Sequence, residues 1–403
     1  MVLTRRATGL ALICLGATAV AYAESSPQAD AEWRDIERRA RGTTVYFNAW
    51  AGDEAINRYV AWAGGELSRR YGVTLVHVKV TDIAEAVTRV LAERAAGRVD
   101  QGSVDLLWLN GENFAALRNA NLLYGPWTGR VPNGRLIDRR GNPTTVVDFT
   151  LPTGGYELAW GSARFTLFYD SAAVADPPRD PVALLAWIHA HPGRFTYPRP
   201  PNFLGTSFIK QLLLLLTPDA GRLERAVGPD FAAITGPMWV WLDAAHPYMW
   251  RGGRLFPPSG PAQRELLAVG EVDWAVAFNP SEARRAIANH ELPDTVRATN
   301  FSGGALANSH FLAIPFNARS PDGAVVVANF LLSPEAQARK AKVSVWGDPT
   351  VLDLAALSPS DRQLFDERSG TATVSAAGLV VPEPHPSWAA ELARAWLARY
   401  GVQ

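Results

Sequence analysis

Five stretches of this chain set amide, small polar or aromatic side chains where a predicted strand hands over to a predicted helix. They hold Asn48, Trp50 and Asp53; Thr81 and Asp82; Asn110, Glu112 and Asn113; Asn202, Gly205 and Thr206; and Phe278, Asn279 and Ser281. In an open α/β sheet the loops beyond the carboxyl ends of strands lead into helix N-termini whose free N–H groups point outward, and ligands collect there. Amides offer both donors and acceptors, while Trp50, Trp108, Trp250 and Phe278 offer flat faces that stack on planar groups and attract cations. Glu112 and Arg251 are the nearest charges. Such an inventory suits a small polar solute with a flat or cationic part and suits a bare metal ion poorly. Each residue also has a plainer use: Asp82, Thr206 and Ser281 as helix caps, the asparagines in turns, the tryptophans in a core. It is the conjunction of such edges in two α/β units that points to a cleft between them.

Catalytic signatures do not compete with that reading. The sequence contains no G-x-S-x-G, H-E-x-x-H, G-x-x-x-x-G-K-[ST] or G-x-G-x-x-G. His189 and His191 stand at i and i+2, which face apart on a helix, and no adjacent tyrosine pair suggests a ferric-ion trap. No cofactor and no metal is therefore expected. Acidic residues are plentiful enough for a carboxylate pair to meet in a cleft, so an exported hydrolase remains the alternative.

The elements that must carry these residues alternate. Thr44 to Trp50 is rich in β-branched and aromatic residues, Ala55 to Leu67 repeats its apolar residues at helical spacing, and Val73 to Val80 alternates like a strand. A helix capped by Asp82 and closed by Gly97 follows, and the continuous apolar run Val104 to Leu109 fits a parallel strand covered on both faces. This predicts βαβαβ, a parallel doubly wound sheet with right-handed crossovers. Residues 121–160, punctuated by Gly and Pro, read as connection. A second unit follows, with strands at Thr166 to Asp170, Phe195 to Tyr197, Val272 to Phe278 and His310 to Ile314. Its helices are Val182 to His191, capped by Asp180, then Thr206 to Leu216 and one capped by Ser281; helices also occupy Asp322 to Leu332, the stretch from Ser333, and Ser387 to Tyr400.

Length and composition agree. With 403 residues, 48% apolar and 19% charged, the chain has the makings of two globular domains. Lys plus Arg and Asp plus Glu number 39 each, without a dense basic run, which excludes a large nucleic-acid footprint. At the N-terminus, Arg5 and Arg6 precede an apolar stretch from Ala7 to Val20 and the small-x-small triplet Ala21-Tyr22-Ala23. That is the form of a cleavable signal peptide, shorter than the ~20 residues of a membrane span. The mature chain is expected to start at Glu24. The single cysteine, Cys14, lies inside the leader and follows Ile13, where lipid attachment wants a small residue. Export to a bacterial periplasm without disulfides is the expectation.

Three segments carry a family likeness: Ser162 to Asp180 (SARFTLFYDSAAVADPPRD), Asn308 to Ala318 (NSHFLAIPFNA) and Phe330 to Gln337 (FLLSPEAQ). With the order of elements over about residues 42–400, the chain resembles the bacterial extracellular solute-binding proteins of ABC importers. The likeness is nearest to the YnjB-like branch and more distant to thiamine- and polyamine-binding receptors. The resemblance implies a type II periplasmic-binding-protein fold, α/β, with parallel doubly wound sheets in two lobes joined by hinge strands near 158–166 and 298–310. The lobes would run 42–161, 162–300, and 301–403 returning to the first and ending in helices. It further implies a monomer that is no enzyme, and a solute passed to an inner-membrane permease with its ATPase behind it. The loops that hold ligand in thiamine-type relatives match Asn48 and Trp50, Asn110 to Asn113, Asn202 to Thr206, and Phe278 with Asn279. Where those relatives place a stacking tryptophan, this chain has Pro258-Ser259-Gly260, with Trp250 earlier, so the solute is left open.

Overall fold

The structure is a computed structural model and describes residues 27–366 and 379–401. The leader, Cys14 and Glu24 lie outside the described residues. The first half runs α1 (Pro27–Ala40), β1 (Thr44–Trp50), α2 (Glu54–Tyr71), β2 (Thr74–Val80), α3 (Ala84–Ala95), β3 (Leu106–Leu109) and α4 (Glu112–Asn119). Short 3₁₀ turns and a small hairpin, β4 (Val147–Asp148) with β5 (Leu151–Pro152), fill the predicted connection before β6 (Glu157–Arg164) and β7 (Thr166–Asp170). Next come α5 (Pro181–Ala190), α6 (Phe203–Leu216), α7 (Phe231–Ala245), α8 (Gly260–Ala268), β8 (Trp274–Ala277), α9 (Glu282–Ala288) and β9 (Val296–Thr299). The chain ends with β10 (Ala305–Ala313), α10 (Pro321–Leu331), α11 (Pro334–Ala341), α12 (Pro359–Gln363), β11 (Val380–Pro382) and α13 (Ser387–Tyr400).

Local chemistry accounts for these boundaries. Asp53 starts α2 by accepting the Ala55 N–H at 2.8 Å, and Gly72 ends it in the left-handed region at φ 67. Asp180, with Pro181 at the first helical position, caps α5 through the Ala183 N–H. The apolar run of β3 is explained by its two covered faces: Leu106 belongs to one core cluster, Leu107 and Leu109 to another.

Two sheets organise the molecule. The first has six strands in the order β11-β10-β3-β1-β2, with β6 on the other edge of β10. β1 pairs parallel with β2 and β3, as expected, while β10 pairs antiparallel with β3 and β6. The second sheet departs from expectation: its three strands, β8-β7-β9, are all antiparallel. The predicted strand at Phe195 to Tyr197 is absent because its carbonyls are taken one by one elsewhere. Trp250 N–H donates to the Phe195 oxygen at 2.8 Å and the buried Gln263 amide to that of Thr196 at 2.7 Å.

Each sheet has its own core. Val45, Phe47, Trp127, Trp160, Val325 and Phe330 pack in the first; Phe165, Phe208, Trp241 and Trp274 pack in the second. Among the described residues, two strands pass between them. β6 carries Leu158 to Trp160 in the first core and leads to Phe165 in the second, and β10 has Leu306 in the second core and Phe311 and Leu312 in the first. The C-terminal stretch divides differently from the reading above: α13 packs Trp388, Leu392 and Trp396 into the second core.

Candidate functional site

A cavity of about 360 Å³ lies between the two cores. The first core supplies its wall from three consecutive strand ends: Trp50 to Asp53 after β1, Thr81 to Ile83 after β2, and Trp108 to Asn113 around the end of β3. Opposite stand the N-terminal turn of α6 (Pro201 to Leu204), the start of α8 (Ser259 to Pro261, with Arg264) and the segment from Phe278 to Glu282 with Arg285. Ala163 of β6 and Asn308 and His310 of β10 complete it, together with Trp346 and Asp348.

Seven of the twelve residues singled out above for ligand contact line this space: Trp50, Asn110, Glu112, Asn113, Asn202, Phe278 and Asn279. Five do not. Asn48 is fully buried inside β1, where its amide donates to the Tyr46 carbonyl and its oxygen accepts from Arg89. Gly205 and Thr206 are buried within α6, because the helix starts three residues early on an Asn202 cap that accepts the Leu204 N–H at 3.0 Å. At Gly205 a Cβ would strike the Pro198 carbonyl, so this glycine serves close packing. Trp250 packs against the outer part of the second unit and donates to Glu271 at 2.8 Å, with Arg251 stacked on its ring at 5.2 Å and otherwise exposed. Ser281 occupies the cap position of α9 without a side-chain cap bond; the Asn279 oxygen accepts the Ser281 N–H instead.

Charge in the cavity wall is mostly paired. Asp53, from the first core, and Arg285, from α9 of the second, form a buried two-pronged ion pair across the space. Arg264 holds Glu282 within the second unit. Asp348 takes both Lys340 and, at 3.1 Å, His310, and although burial works against it these two neighbours hold its carboxyl below the usual range. The His310 ring stacks on Trp346 and touches Trp108, and the fully buried Lys340 lies against Trp160 and Trp346. Trp346, Asp348 and His310 were not anticipated. They follow no strand-to-helix step of a βαβ unit, and only Trp content hinted at them.

Glu112 differs. It is the first residue of α4, and its side chain is exposed to the cavity, whose walls stand around it. Burial pushes its carboxyl above the usual range, against the pull of Lys210 and with Glu383 and Asp82 pushing the same way. Gly111 before it sits at φ +58, where a Cβ would also meet the Phe149 ring, so glycine is required. The Gly111 N–H donates to Asp148, whose buried carboxyl is raised as well. Among the described residues no group of three or more His, Cys, Asp or Glu is placed to hold a metal ion, and no helix is long and apolar enough to cross a membrane.

Comparison with known proteins places this geometry. The family model of the bacterial extracellular solute-binding proteins matches residues 65–364. Protein YnjB of Escherichia coli K12 is 45% identical over 374 residues, covering 92% of this chain and 94% of YnjB. Among solved structures, the periplasmic binding protein AfuA of Actinobacillus pleuropneumoniae superposes with a TM-score of 0.63 at 13% identity, over 90% of this chain and 99% of its own. The spermidine/putrescine ABC transporter substrate-binding protein PotD of Streptococcus pneumoniae gives 0.61 at 13%, over 89% and 98%. These two likenesses speak for the fold, that of type II periplasmic binding proteins. A two-core α/β architecture with crossing strands, a cavity between the cores, the family match and the identity to YnjB together mean that the chain belongs to the bacterial extracellular solute-binding proteins, the solute-capturing components of ABC transporters.

Proposed function

We propose that the cavity between the two cores is the solute site, and that the protein captures one small molecule there in the periplasm, unchanged, and releases it to a membrane permease. The observation that carries this is the composition of the wall: loops from both cores and residues of the crossing strand β10 face one space of about 360 Å³. That is the size of a metabolite. The lobes we assign are the first core, residues 42–161 with β10 to α12, and the second, residues 162–300 with α13. Contacts from both lobes exist together only when they close, so an unliganded open form and a liganded closed form are expected. Scattering on periplasmic protein before and after mild unfolding to strip its solute would show the radius of gyration falling when solute is restored. Native mass spectrometry should find one solute per chain. An unchanged radius, or conversion of the solute by the protein, would overturn the proposal.

A further inference from the structure

We propose that the solute is an organic cation, held by Glu112 with Asp82 amid the aromatic faces of the cavity. The inference rests on the cavity being the solute site. It comes from how the wall's charges are used. Both lining arginines are committed, Arg285 to Asp53 and Arg264 to Glu282, and a charged His310 would sit on Asp348, which Lys340 already neutralises. An anionic solute therefore meets no uncommitted cation among the described lining residues. The acids are unbalanced in the other direction. Glu112 has no ion-pair partner among the described residues, and Asp82 accepts only a backbone N–H, from Ala84. Lys210, whose charge acts on Glu112, is tied to Glu383 at 2.6 Å and lies 4.5 Å over the Phe149 ring.

The surroundings of Glu112 add to this imbalance from every side. Asp82 precedes α3, Glu383 follows β11, and Asp148 sits behind the Gly111 peptide with the buried Glu157 next to it; Lys210 of α6 and the Glu112 backbone N–H oppose them. Without solute, a Glu112 carboxylate has no cationic partner among the described lining residues, and the carboxylates of Glu383 and Asp82 favour its acid form. A bound ammonium or similar group supplies the missing charge, Glu112 ionises, and its proton leaves to solvent. Trp50, Trp108, Trp346, Phe203 and Phe278 furnish the ring faces that a cation's apolar substituents need.

The test uses the full mature chain, stripped of solute, and melting curves with choline, 1,4-diaminobutane, succinate and glucose. Native mass spectra of protein taken from its own periplasm run alongside. The expected result is a cation in the native complex or a shift with one of the two cations. Its affinity should fall at least thirtyfold in Glu112→Gln, and tighten with rising pH by up to about tenfold per unit while Glu112 titrates. Should Glu112→Gln fold poorly, Asp82→Asn carries the same expectation at smaller size. A neutral or anionic solute in the native complex overturns this inference and leaves the receptor reading standing. A cation bound equally well by wild type and Glu112→Gln, or without pH dependence, overturns it too. No solute of any kind in the native complex, and no shift with the four probes, removes both readings.

Discussion

The two walls of the cavity are built by different means. On the side of the first core, three parallel strands each end at the cavity, and the loops after β1, β2 and β3 enter it side by side. On the side of the second core the sheet is antiparallel; of its strands β8 alone leads into the described wall, and the rest is made by the starts of α6 and α8. A parallel sheet delivers its loops by topology, whereas an antiparallel one must borrow helix termini. The rule that ligands gather beyond strand ends located Trp50, Asn110, Glu112 and Asn113 on one side and Asn202, Phe278 and Asn279 on the other, but misplaced Gly205 and Thr206, which lie inside α6.

The largest expected effect breaks the link between the walls. Arg285→Ala leaves Asp53 buried and unpaired, at a cost of about 3 to 5 kcal/mol to the closed form. The variant should show a larger radius of gyration in scattering and a lower melting temperature, with both units still helical by circular dichroism.

A second expectation separates the cores by pH. His246 in the second core is pushed down to about 4 by burial, and its Nε2 pairs with the Tyr197 hydroxyl. The folded form refuses a proton that the unfolded chain accepts below about pH 6.5, so stability is intact above that value and falls as pH drops toward 4, by about 3 kcal/mol. Urea midpoints at pH 7 and 4.5 should differ accordingly, and less so in His246→Gln.

Trp50→Ala and Trp250→Ala sharpen the comparison further. The first should weaken solute binding by about 1 to 3 kcal/mol; the second should leave affinity alone and lower only the melting temperature. Equal effects on affinity would erase the distinction between cavity wall and outer core. Last, with Cys14 the sole cysteine, reductant should leave the melting temperature of the mature protein unchanged.

Most of the fold was legible. β1, β7 and α13 fall at the residues where periodicity put them, since each draws its signal from its own side chains. Phe195 to Tyr197 looked like a strand for the same reason, but its partners are the Trp250 N–H and the Gln263 amide, more than fifty residues away. The site was half legible. Asn110 to Asn113 follow a strand locally, while His310 and Asp348 reach the cavity only because β10 returns to the first sheet and Lys340 draws Asp348 inward. Pairings at such range leave no periodic trace.

One detail of β10 bears on how the protein would feel its cargo. Its ladder with β6 slips register between His310 and Phe311, and His310 is also part of the cavity surface. A bulge kinks a strand and leaves a residue outside the ladder. The residue left out is Trp160 of β6, fully buried with its ring against His310, so the joint between the halves is notched beside the proposed solute site, and a solute held there would stiffen the place where the joint bends.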